Sequence, residues 1–224
     1  MTNTDYLLMV AIPIALVSVF IYAIHSDKKS AHKMGKRVRD LLPDGWRLME
    51  GGLRQGEFPF EKHLPSESLS VLLQTPVLVN DVDGHAGDSW IFGNCTVRTG
   101  ARSVIGNSVM VALKLEQSPG LGIRIQRKAG GRLFESVEDE RFETLETQKH
   151  SGLHWYLCAT EDSEAARALI DAILSNGIPK HVYLIQILGD YLITSNATMH
   201  FNPNNYVNAL ASAQTFRDLI DVSD

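Results

Sequence analysis

Cysteine is scarce in this chain: Cys95 and Cys158 are the two in 224 residues. Two thiols make no disulfide framework, and a chain of this length buries a core without one. Each reads as a small buried hydrophobic side chain. The motifs of nucleotide and acyl chemistry are missing as well. No G-x-S-x-G, G-x-x-x-x-G-K-S/T or G-x-G-x-x-G occurs, and Gly120-Leu121-Gly122 lacks the third glycine of the last. There is no internal repeat and no low-complexity tract. Positive charge is thin over most of the length. The first forty residues hold six of the 21 basic side chains (Lys28, Lys29, Lys33, Lys36, Arg37, Arg39) but only Asp5, Asp27 and Asp40 of the 26 acidic ones. Acids therefore outnumber bases by eight in the remainder, which argues against general nucleic-acid binding there.

What is present is one long uncharged run. Residues 6–24 are 19 positions without a charge. As a helix they span about 28 Å, close to the hydrocarbon thickness of a bilayer. Only a helix satisfies its own backbone at that depth. Pro13 is tolerated there with a kink, and Tyr6 and Tyr22 sit where aromatic rings prefer the interface. A cleaved signal peptide has a basic leading region, which Met1-Thr2-Asn3-Thr4-Asp5 lacks, and small residues before the cut, which Tyr22-Ala23-Ile24 fits poorly. A core helix shows a polar face, and this run shows none. The expectation is a single-pass signal-anchor. Its basic flank predicts that the following chain stays in the cytoplasm. The same cluster suits anionic lipid, each cation contributing on the order of 1 kcal/mol near the surface.

The chain is accordingly divided into an anchor over 1–25, a basic juxtamembrane helix over 26–43 and a soluble domain over 44–224. The helix is expected to have a weak point at Gly35 and to end at Pro43-Asp44-Gly45. Residues 69–79 are apolar and interrupted by Pro76, which suggests a strand edge or end. Residues 90–98, 108–116, 121–126 and 154–158 read as strands. In the third, Leu121, Ile123 and Ile125 face inward while Arg124 and Gln126 face out. Such alternation predicts an antiparallel sheet with one solvated face. Ala165, Ala166, Leu169, Ile170, Ile173 and Leu174 form a helical stripe, capped by Thr160 or Asp162 and stopped at Asn176-Gly177. Apolar runs on either side of Gly189-Asp190 read as a hairpin. Asn202-Pro203 opens a last helix on which Tyr206, Leu210, Ala213 and Ile220 share a face. The fold class is α+β, a mainly antiparallel sheet with helices packed on one face.

Chemistry-bearing residues are few. His150, His154 and Cys158 are zinc-ligand types spaced by four, but strand residues four apart lie about 13 Å from each other, too far to share an ion. Residues 80–88 gather Asp81, Asp83 and Asp88 with two glycines. On the calcium-loop pattern the glycine is misplaced and the twelfth-position Glu is missing, which leaves a solvated hairpin loop. Gly87-Asp88-Ser89 resembles the nucleophile block of the SGNH hydrolases, but no apolar strand precedes it and no Asp-x-x-His block follows. Asn94-Cys95-Thr96 and Asn196-Ala197-Thr198 match the glycosylation sequon, which a cytoplasmic domain leaves unmodified. Ala11 and Ala15 make a small-xxx-small pair in the anchor.

Asp139-Glu140-Arg141-Phe142-Glu143, the strand after it, the helix over 164–174 and the hairpin over 182–195 together resemble a family of bacterial membrane-anchored proteins of unknown function. The resemblance covers the chain from Asp139 onward and implies a place at the bacterial inner membrane. Those proteins typically carry two membrane helices where this chain offers one. It implies no catalytic residues. The function expected is a membrane-anchored cytoplasmic interaction or scaffold module. Its partners are the lipid bilayer and other membrane-associated proteins, with no nucleic acid. No cofactor, metal or catalytic residue is assigned. The alternatives are a membrane-tethered, hydrolase-like enzyme and a small-molecule sensor domain.

Overall fold

The structure is a computed structural model and describes residues 30–49, 76–80, 89–98, 104–128, 140–198 and 201–221. In chain order these form α1 (described over 30–39), β1 (Trp46–Leu48), β2 (Val77–Asn80), β3 (Ser89–Arg98), β4 (Val104–Lys114), β5 (Ile123–Arg127), β6 (Glu143–His150), β7 (Leu153–Ala159), α2 (Glu164–Asn176), β8 (Val182–Leu188), β9 (Tyr191–Thr198) and α3 (Pro203–Asp221). The strands make one nine-stranded sheet in the order β1-β2-β3-β4-β9-β8-β5-β7-β6. Every pairing among them is antiparallel. The α+β class and the mainly antiparallel sheet are as expected from the alternating runs.

The strand alternation sorts side chains onto two faces. On one face, Ile91, Val109, Val111 and Leu113 meet Val38 of α1 and Tyr206, Ala209, Leu210 and Ala213 of α3. Further along the same face, Ile123, Ile125, Leu157, Ile185 and Ile187 meet the α2 stripe and Phe216 and Ile220 of α3. All three helices thus cover one face. Burying each large aliphatic side chain there is worth roughly 1.5–3 kcal/mol.

The opposite face departs from expectation, because much of it is buried. Val77, Val79, Trp90, Phe92, Met110, Ala112, Tyr191 and Ile193 form a second buried cluster on it. Arg124 and Gln126 do point to that face, but they are 3% and 5% exposed. Sheets buried on both sides lose the clean polar alternation from which a solvated face was inferred.

The local signals fare differently one by one. β2 begins directly after Pro76, the position that ended the predicted strand. The cap of α2 is neither Thr160 nor Asp162 but Ser163, whose hydroxyl accepts from the Ala166 N–H at 3.2 Å. Ser163 is the residue directly before the helix, extended at φ −129° and ψ 156°, from which a side chain reaches the third helical N–H. Gly177 ends that helix at φ 86°, donating to the Leu174 carbonyl at 3.0 Å. Gly189 turns the β8–β9 hairpin at φ 60°. β1 and β6 were not anticipated. Among the described residues no helix is long and apolar enough to cross a membrane. The predicted anchor, residues 6–24, lies outside them.

Candidate functional site

Two polar features are built into the helical layer. The first is α1. Met34, Gly35 and Val38 turn inward at i, i+1 and i+4, and Val38 is fully buried with Trp46, Leu78 and Ile91. Gly35 permits that approach: a β-carbon there would lie 2.4 Å from Leu48 Cδ1 and 3.0 Å from Pro76 Cβ. The glycine read as a weak point is thus a contact point. His32, Lys33, Lys36, Arg37 and Arg39 are exposed, with Lys33, Lys36 and Arg37 on the outward arc and Arg39 at its edge. Arg39 approaches Asp40 at 3.7 Å, but both side chains are more than half exposed, so solvent screens the pair. The packing of Val38 onto the domain, with Leu42 half-buried beside it and Leu41 exposed, makes α1 part of the core rather than a free tether.

The second feature is a polar seam between β9 and α3. Thr194 and Asn196 occupy alternate positions of β9 on the helix-covered face, where Thr194 pairs with Val111 and Ile185 and Asn196 with Val109. Both are buried, as is Tyr206 above the sheet. Among the described residues Thr194 Oγ1, both amide atoms of Asn196 and the Tyr206 hydroxyl have no hydrogen-bond partner. Burial pushes the Tyr206 phenol far above its ordinary pKa. Two hydrogen bonds lie beside the C-terminal end of β9 next to the seam. Asn205 of α3 donates from its amide to the Thr198 hydroxyl. Ser212 donates to the Asn208 carbonyl at 3.0 Å, so its oxygen accepts from His181 Nε2 at 3.2 Å. Partial burial holds the His181 imidazole below its usual pKa. The seam was legible only as a period-2 run of Thr194, Asn196 and Thr198 inside an apolar hairpin. That signal passes for a solvated face.

On the far face Arg124 donates to Gln126 Oε1 at 2.8 Å and lies 6.0 Å from the centre of the Phe142 ring. Between β6, β7 and α2 a cleft of about 70 Å³ is lined by Leu145, Glu146, Leu157, Arg167, Ile170 and Asp171. Arg167 is committed to Asp162 through two hydrogen bonds of 2.7 and 2.8 Å, which hold that carboxyl below its ordinary pKa.

The candidates drawn from sequence do not converge. His154 is exposed, His150 stands at the end of β6, and Cys158 is buried with the Thr144 hydroxyl 3.7 Å from its sulfur. Among the described residues no three metal-ligating side chains gather. Residues 81–88 lie outside the description. On either side of them, β2 and β3 pair antiparallel, with Asn80 opposite Ser89. Of Gly87-Asp88-Ser89 only Ser89 is described, buried at the start of β3. The Asn196 sequon sits in a buried strand, Asn94 lies in β3, and Ala11 and Ala15 are outside the described residues. Cys95 and Cys158 lie on strands five spacings apart in the sheet, about 24 Å, beyond any disulfide.

The arrangement is therefore that of an α+β domain with one helical layer and a basic helix docked into it. No protein-family model matches the chain, and no curated protein sequence does. A solved structure shares the architecture: the mycobacterial trehalose monomycolate transport factor A, TtfA. It aligns with a TM-score of 0.55 over 86% of this chain and 94% of that one, at 10% sequence identity. At that identity the likeness is one of fold.

Proposed function

We propose that this protein is a membrane-anchored accessory or scaffold module whose domain works at the cytoplasmic face. The observation that carries the reading is the continuity of an uncharged 19-residue run with a basic helix that is itself part of the domain core. A span at residues 6–24 would then hold the sheet within a few residues of the bilayer. The basic flank favours a cytoplasmic domain. The fold is shared with a protein named as a transport factor for a mycolate glycolipid. A transport-related accessory role beside other membrane proteins fits that likeness. So does a domain whose described polar groups serve packing and capping rather than converging on a nucleophile and a base.

Two experiments test it. Fusions at Asp224 should give a fluorescent reporter that matures and an alkaline phosphatase that stays inactive, and carbonate washing should leave the chain in the membrane. An active phosphatase fusion would reverse the orientation. Cross-linking followed by purification from detergent-solubilised membranes should recover discrete membrane-protein partners. Quantitative recovery of the chain alone would count against a scaffold.

A further inference from the structure

We infer that α1 lays its basic face on anionic phospholipid headgroups and so fixes how the domain is turned toward the bilayer. This rests on the anchor reading above. Lys33, Lys36 and Arg37 lie on the arc away from Met34, Gly35 and Val38, and Arg39, one turn beyond Gly35, is exposed at its edge. Among the described residues Lys33, Lys36 and Arg37 make no ion pair, and Arg39 has only the screened contact to Asp40. These charges are therefore not consumed inside the protein.

The docking of α1 makes the arc directional. Val38 is fully buried and Gly35 lies against Leu48, so the helix cannot roll without breaking its packing. A flexible tether would carry the same charges with no preferred face. The described part of α1 begins six positions after Ile24, within easy reach of a headgroup layer if residues 6–24 span it. The rest of the chain adds to the selectivity. With eight more acids than bases beyond residue 40, an anionic surface attracts α1 and repels the remainder. The occupant fitting this pattern is the anionic lipid of the anchor's own bilayer.

The test uses the full chain in lipid nanodiscs of phosphatidylcholine alone and in discs that also contain phosphatidylglycerol. Lysines are acylated with a water-soluble reagent and read by peptide mass spectrometry. Lys33 and Lys36 should react more slowly only in the anionic discs, by roughly fivefold for each cation's worth of surface attraction. Lys149 and Lys180, exposed on β6 and before β8, should not change. High salt should restore the rates. Equal rates for Lys33 and Lys36 in both discs, with the chain still disc-bound after a carbonate wash, would overturn the inference and leave the anchor intact. If carbonate strips the chain from the discs, the anchor reading is what fails. Flotation of the same chain with phosphatidylglycerol vesicles then decides the lipid contact, and absence from the floated fraction overturns it.

Discussion

Replacing Thr194 by valine removes one oxygen from the interior and alters little else. The side chain is wholly buried at the middle of β9, and its hydroxyl has no partner among the described residues. Burying a hydroxyl without a hydrogen bond costs about 1–3 kcal/mol, and the methyl that replaces it adds up to about 0.8 kcal/mol of burial. Both residues are β-branched and favour strands, so backbone preference cancels. Thr194→Val should stabilise the domain by about 1–2 kcal/mol, at about 2–4 °C per kcal/mol for a domain of this size. Urea unfolding of residues 26–224 measures it, as a higher midpoint at unchanged slope. Tyr206→Phe should act in the same direction by a smaller amount. If the two hydroxyls are independent deficits, the double variant adds within about 0.5 kcal/mol. A Thr194→Val variant that loses 1 kcal/mol or more would refute this reasoning. The hydroxyl would then be satisfied by ordered water, and the seam would be a hydration site.

The other predictions concern particular contacts. Val38→Ala should cost about 2 kcal/mol by losing two buried methyl groups and leaving a cavity, and residues 44–224 should melt below residues 26–224 in a thermal scan. Ser163→Ala should cost about 1 kcal/mol by uncapping α2, seen as a lower denaturant midpoint. The folded pKa of His181 lies below its unfolded value, so the unfolded state binds more protons in that window. Stability should fall as pH drops through the unfolded value near 6.5, and His181→Gln should flatten a melting-temperature series across that range.

How legible the sheet was depended on how far each strand relied on side chains. β4 and β5 each bury an aliphatic row that period 2 exposed, whereas β8 and β9 stood out as apolar runs around Gly189-Asp190. β6 reads Glu-Thr-Leu-Glu-Thr-Gln-Lys-His and is largely exposed, an edge strand paired only with β7. Its backbone ladder holds it in place, and it leaves no apolar stripe to find. Arg124 and Gln126 misled in the other direction. In sequence each marks water, yet both are buried, and an Arg124 guanidinium N–H donates to Gln126 Oε1. Polarity reports the average partner of a residue type, whereas burial depends on which element lands above it.

The same reasoning explains why the role of α1 was half visible. Its charges were plain, because Lys33, Lys36, Arg37 and Arg39 stand out in an otherwise acidic chain. Its apolar side was not, because Met34, Val38 and Leu42 form a stripe one residue wide with a glycine beside it. A single fully buried valine and a β-carbon-free contact are enough to fasten a short helix when Trp46, Leu78 and Ile91 have already formed the receiving surface. That surface is assembled from three strands far apart in sequence, so no local pattern announces it. A boundary drawn at Pro43 follows the local signals and cuts through the cluster. If residues 6–24 span a bilayer as proposed, α1 is fastened to the sheet beside it through Val38 and Gly35. Val38→Ala should then loosen the orientation of the domain at the bilayer, as well as lower its melting temperature.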